Sequence, residues 1–173
     1  MNIRKVLCRV EYELLGKYLP VSHNIGGKIA SRIRYQMVRG YISSCGSDVN
    51  FEHGADISST LKIGNHSGVG VNAHVPEHVT IGDKVMMGPY CLIYTRNHKQ
   101  QIKPEVPFRK QGYEEFKPVT IGNNVWIGAR VIILPGVTIA DNTVVAAGAV
   151  VTKSFPAGSI IGGNPVRAIK SNS

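Results

Sequence analysis

The stretch KPVTIGNNVWIGARVIILPGVTIADNTVVAAGAVVTK, residues 117–153, decides the fold. Every sixth residue from Ile121 is aliphatic: Ile121, Ile127, Ile133, Ile139, Val145 and Val151. The same count upstream gives Ile63, Val69, Val75, Ile81, Met87 and Ile93. The next position is Gly64, Gly70, Gly82, Gly88, Gly122 and Gly128, then Ala140 and Ala146. Four places after the aliphatic residue come small or β-branched side chains, including Ser67, Ala73, Cys91, Val125, Thr143 and Ala149. A period of six is neither the 3.6 of a helix nor the 2 of an ordinary strand. It reads as one short strand plus one turn per unit. The aliphatic residue points into a narrow core, and glycine is expected to permit the bend that follows. The fold class is therefore all-β, a solenoid built of such units.

Outward from this stretch the pattern changes. Ile3, Val6, Leu7, Val10 and Leu14 stand at helical spacing, ending before Pro20. A second helical pattern runs through Ile29, Ile33 and Met37, with Lys28, Arg32, Arg34 and Arg39 off that face. Residues 1–44 read as a helical cap on the first coil, which would otherwise expose core and strand edges. Repeat-like residues begin near Cys45 and define a second unit, residues 45–170. The register breaks once, between Ile93 and Ile121. The Pro- and charge-rich residues there predict a long loop, 97–118, thrown out of the wall.

Composition bounds the function. Of the 173 residues, 43% are hydrophobic and 18% charged, which fits a globular chain. The formal charge of +9 suits an anionic partner, such as a polyphosphorylated small molecule, or is a plain solubility bias. Cys8, Cys45 and Cys91 form neither a disulfide framework nor a zinc motif and fit a reducing cytoplasm. Cys91 occupies a small-residue slot and reads as a buried hydrophobe rather than a nucleophile. Arg4, Lys5, Arg9, Glu11 and Glu13 interrupt any apolar run at the N-terminus, so neither a signal peptide nor a transmembrane segment is expected there. With three units to a coil, as in known parallel β-helices, residues eighteen apart would stack. His66, His74, His78 and His98 contain no such pair, and no metal site is predicted.

The elements IYTRNH, the loop, KPVTIGNNVWIGARVIILPGVTIADNTVVAAGAVVTKSFP and IIGGNPVRAIK resemble the galactoside/maltose O-acetyltransferases. They are closer still to the sugar and polysaccharide O-acetyltransferases of the same hexapeptide-repeat superfamily. The resemblance covers about residues 45–170. It implies a left-handed parallel β-helix and acetyl transfer from acetyl-CoA, the cosubstrate, to a hydroxyl of a sugar or polysaccharide precursor. His98 holds the position of the family's catalytic base. A neutral imidazole can take a proton from a hydroxyl as it attacks a thioester, without a covalent intermediate.

The resemblance also assigns the donor site. Ala129 and Ala147 match sites that contact the pantetheine arm, and Thr152 and Lys153 match contacts to the nucleotide end. Arg167 and Lys170 follow the GNP turn; a short C-terminal helix would put both on one face, with Lys153, toward the CoA phosphates. Trp126 is expected to point outward beside the active site. The family's acceptor-binding Asn falls on Gly70 in strict alignment, with Asn72 two residues on as its substitute. The family arrangement is a homotrimer without nucleic acid. Two readings stand beside it: an amino-sugar N-acetyltransferase using the same donor site, and a non-catalytic β-helix scaffold.

Overall fold

The computed structural model describes residues 3–100 and 105–171. The side chains of Lys170 and Ser171 lie outside the description, as do residues 101–104 of the expected loop. The chain opens with α1 (Ile3–Leu14), a 3-10 turn at Gly16–Tyr18 and α2 (Gly27–Tyr41). The solenoid follows as coils of three short strands. The first coil is β1 (Ser44–Cys45), β2 (Asn50–Phe51) and β3 (Asp56–Ile57). The second is β4 (Lys62–Ile63), β5 (Gly68–Val69) and β6 (His74–Val75), and the third is β7 (Val79–Ile81), β8 (Met86–Met87) and β9 (Leu92–Ile93). The fourth coil is β10 (Val119–Ile121), β11 (Trp126–Ile127) and β12 (Ile132–Ile133). The fifth is β13 (Thr138–Ile139), β14 (Val144–Val145) and β15 (Val150–Val151). A partial sixth contains β16 (Ser159–Gly162) and β17 (Arg167–Ser171).

The strands stack into three faces. Face A is β1-β4-β7-β10-β13, face B is β2-β5-β8-β11-β14-β16-β17, and face C is β3-β6-β9-β12-β15. Within each coil the chain runs A, B, C, so each face joins the next along an edge of turns. Pairing is parallel throughout except β16 with β17. Consecutive coils pair residues eighteen apart, as in Ile63 with Ile81 and Ile121 with Ile139. Across the long loop Val79 pairs with Val119, and the stack continues as though nothing intervened.

All twelve aliphatic positions of the six-residue count are buried, and so are the small or β-branched positions four places on. Their side chains fill the prism, and Tyr12, Val38 and Tyr41 from the helices close its upper end. Each tyrosine hydroxyl donates to a carbonyl of the first coil, Tyr12 to Ala55 at 2.6 Å and Tyr41 to Ile57 at 3.3 Å.

The glycines after the aliphatic residue play a different part from the one expected. Left-handed backbone occurs three places after the aliphatic position, at residues such as His66, Asn72, Tyr90, Asn124 and Arg130. The glycines serve close approach between coils. A Cβ on Gly88 would lie 2.7 Å from the Ala129 nitrogen, and one on Gly128 would lie 2.5 Å from that of Ala147.

Two further corrections concern the ends. The residues after the GNP turn form no helix. Arg167–Ser171 is a strand, antiparallel to β16 at the free edge of face B, where unpaired backbone groups take up a partner. At the other end both helices stand where their periodicity places them, but Arg34, expected off the apolar face, is fully buried. Its guanidinium donates to the carbonyls of Leu19, Pro20 and Phe51 and pairs with Glu52. Those carbonyls belong to the turn below α1 and to the first coil, so the cation ties cap to solenoid.

Candidate active site at the edges of face C

The loop between β9 and β10 leaves the edge where face C meets face A. Its two legs are zipped together near the wall. The amide of Lys117 donates to the Thr95 carbonyl at 2.7 Å, that of Glu114 to Asn97 at 2.9 Å, and that of Lys99 to Gly112 at 3.0 Å. His98 and Tyr113 face one another in an antiparallel bridge at the middle of this stem. The backbone of His98 is thereby fixed on an otherwise exposed loop.

Rings and one cation hold the side chains. The His98 imidazole lies 4.2 Å from the Tyr113 ring, centroid to centroid, at 30°. The Arg96 guanidinium is sandwiched between Tyr113 at 4.3 Å and Phe116 at 4.5 Å. Phe116 in turn lies 4.3 Å from His78, the turn residue below. Cation–π contacts of this kind contribute roughly 0.5–1 kcal/mol at exposed sites. Among the described residues no carboxylate pairs with His98; the tyrosine ring orients it. The motif-based reading singled out His98 but not the Arg96, Tyr113 and Phe116 that pack around it. The density of aromatic and basic residues in the loop was the available signal.

The other expected residues divide between two edges. Ala129 and Ala147 sit in turns between faces B and C, one coil apart, with the Gly148 amide donating to the Ala129 carbonyl at 2.8 Å. Arg167 begins β17 at the same edge, paired with Gly162. Thr152 and Lys153 follow β15 directly and so lie at the C–A edge, the edge of His98; the Lys153 ammonium stands 5.5 Å from the Phe155 ring. The side chain of Lys170 falls outside the described residues. Face C is thus bounded on one side by Ala129, Ala147 and Arg167 and on the other by His98, Thr152 and Lys153. Between them its outward row is the half-buried apolar Leu92, Ile132 and Val150.

Trp126 points outward as expected, 53% exposed, but from face B, in register with Met86 and Val144. Within one chain it does not stand at the His98 edge. Asn72 occupies a left-handed turn position at the B–C edge, a conformation Asn tolerates well, with its side chain over Gly54. Cys91 is fully buried, and burial pushes its thiol up, away from thiolate. His66 and His74 each face a carboxylate eighteen residues earlier, Asp48 at 3.1 Å in the A–B turns and Asp56 at 2.9 Å on face C.

A family model for the bacterial transferase hexapeptide (six repeats) matches residues 118–153. The chain is 33% identical over 168 residues to the galactoside O-acetyltransferase of Escherichia coli K12, covering 92% of this chain and 79% of that protein. A maltose O-acetyltransferase from Clostridium difficile 630 superposes with a TM-score of 0.77 at 31% identity, over 98% of this chain and 86% of the other. A hexapeptide-repeat acetyltransferase from Vibrio cholerae O1 biovar eltor, solved with acetyl coenzyme A, superposes with a TM-score of 0.73 at 26% identity, over 99% and 86%.

Proposed function

The chain belongs to the hexapeptide-repeat acetyltransferases of the galactoside/maltose O-acetyltransferase type, and from that premise we propose that it moves an acetyl group from acetyl-CoA to a hydroxyl of a saccharide. The observation that carries this reading is the bounding of face C by His98 on one edge and the donor residues on both.

His98 acts as general base. One ring nitrogen takes the proton of the acceptor hydroxyl while the oxygen attacks the thioester carbonyl. The tetrahedral centre collapses, the carbon–sulfur bond breaks, and the imidazolium returns its proton to the departing thiolate. Ala129 and Ala147, small enough to let a ligand lie against the coil edge, border the pantetheine arm. Thr152, Lys153 and Arg167 take the nucleotide and phosphate end, and Lys170 is assigned there with them. Trp126 and Asn72 supply acceptor-side contacts. Purified protein should acetylate a mono- or oligosaccharide in the presence of acetyl-CoA, read by mass spectrometry. Transfer to amino sugars alone would reassign it to N-acetylation, and no transfer to any acceptor would favour the scaffold.

Lys153→Ala or Arg167→Ala should weaken acetyl-CoA binding by roughly tenfold to hundredfold, as for loss of a charge-assisted hydrogen bond, with the larger effect at low salt. Calorimetry with CoA and its 3′-dephosphorylated analogue checks this. Equal affinity of the wild type for both would remove the 3′-phosphate as a target of these residues.

The active unit is a homotrimer. Face C alone is a floor without a facing wall, and Trp126 lies on a different face from His98. The outward row of face A carries Lys62, Thr80, Thr120 and Thr138, whereas face B presents Met86, Trp126 and Val144. Face B of a second copy set against face C supplies the missing wall and brings its Trp126 toward His98. Repeating a face-B-to-face-C contact closes a ring with cyclic symmetry. Activity and stability should fall together on dilution. A fully active monomer by light scattering would refute this assembly.

A further inference from the structure

The apolar side of α1 faces water. Ile3, Leu7, Val10 and Leu14 stand at i, i+4, i+7 and i+11 and form one stripe along the helix. They are 77%, 56%, 47% and 68% exposed. The helix is seated on the body by its other side, where Tyr12 is fully buried and Cys8 packs beneath Gly40. Tyr12 is nine residues after Ile3, which on a helix is half a turn away. The seat and the stripe are therefore back to back, and packing within this chain gives no reason for the stripe. Exposed apolar side chains continue beyond it at Tyr18 and Ile29.

Charge identifies what covers it. Residues 1–44 hold eight Lys and Arg against two Glu, so a quarter of the chain carries most of the net +9. Lys5 and Arg9 on α1, and Lys28 and Arg32 on α2, are exposed. Glu13 is paired with Lys17. A second cap laid on the first would cover the stripe but oppose two strongly basic surfaces. An acidic protein surface would answer the cations but not the leucines. Both are answered where phosphates lie over hydrocarbon.

We propose that the cap docks on an anionic lipid surface. α1 lies in the plane of the headgroups, its apolar stripe enters the acyl boundary, and the surrounding cations meet lipid phosphates. The helix lies on the membrane and does not cross it: at about 18 Å it is too short to span. No helix among the described residues is long and apolar enough to do so. The docking is independent of the acetyl-transfer reading.

Flotation of the full-length protein tests it, with vesicles of phosphatidylcholine alone and of phosphatidylcholine mixed with phosphatidylglycerol. The protein should rise with the anionic vesicles only, and less as salt increases. Leu7→Ser/Leu14→Ser changes only exposed side chains; it should keep the wild-type melting temperature and lose vesicle binding roughly tenfold or more. Lys5→Gln/Arg9→Gln should lose roughly tenfold on anionic vesicles. The proposal fails if the wild type stays in the supernatant with both vesicles, or if neutral vesicles capture it equally. It also fails if the leucine variant binds as the wild type does. Loss of self-association by that variant with flotation unchanged would assign the stripe to a second copy and overturn the proposal.

Discussion

Replacing His98 by alanine should lower kcat by roughly 10²–10⁴-fold, the range for loss of a general base, while CoA affinity changes little. The separation is expected from the geometry. Ala129, Ala147 and Arg167 line the edge of face C opposite His98, and Thr152 and Lys153, on its own edge, follow β15, two coils on from β9. The substitution leaves the loop in place, because the stem is zipped by main-chain bonds at Thr95, Asn97 and Lys99. A fall in turnover therefore reports chemistry and not collapse. Steady-state kinetics with a good acceptor, paired with calorimetric CoA binding, provides the check. Near-normal turnover would remove His98 from the mechanism.

Arg34→Met should destabilise the protein by roughly 3–5 kcal/mol, the range for breaking a buried ion pair. Methionine fills similar space but leaves three carbonyls without this donor and the Glu52 carboxylate without its cation. Urea unfolding measures the loss; a change below about 1 kcal/mol would mean that water replaces the guanidinium. The carboxylate adds a pH signature. Burial pushes the Glu52 carboxyl up, but hydrogen bonds from Ser22 and Asn50 and the charge of Arg34 outweigh it and hold it below the ordinary range. A depressed folded pKa gives stability that is complete above the unfolded value and is lost as pH falls through the folded one. The wild type should therefore weaken in acid, below the usual carboxylate range. Arg34→Met, lacking the cation, should weaken less steeply there.

The solenoid was legible because one residue in six has a single possible place, the inside of a prism too narrow for alternatives. Ile127 and Ile133 could be counted into the core without any knowledge of their neighbours. The role of Gly88 and Gly128 was not legible. A glycine in sequence advertises both backbone freedom and lack of bulk, and only the distance to the next coil shows which is used. Periodicity located α1 but not what its apolar stripe meets, since a period marks a face and not what covers it. Arg34 was placed off the apolar face, because its carbonyl partners lie fourteen to seventeen residues away, in the turn after α1 and in β2, where helical spacing does not reach. At the C-terminus the spacing of Arg167 and Lys170 suited a helix, but the open edge of face B took the segment as a strand. His98 came from a motif, whereas the rings that orient it come from the returning leg of the loop, where no period operates.

The pairing of Val79 with Val119 across the long loop separates two kinds of inheritance in one chain. The stack is held by rungs counted at fixed intervals, and a residue gained or lost within a rung would misplace every later one. An edge obeys no such count. Lengthening a loop there costs only a slowly growing closure entropy, about 0.6 kcal/mol for each doubling. The His98 hairpin is therefore a cassette. It can be exchanged, extended or re-sequenced while the coils above and below remain in step. Descendants of such a protein can diverge in this hairpin at the speed of loop evolution, on a scaffold that changes at the speed of a core.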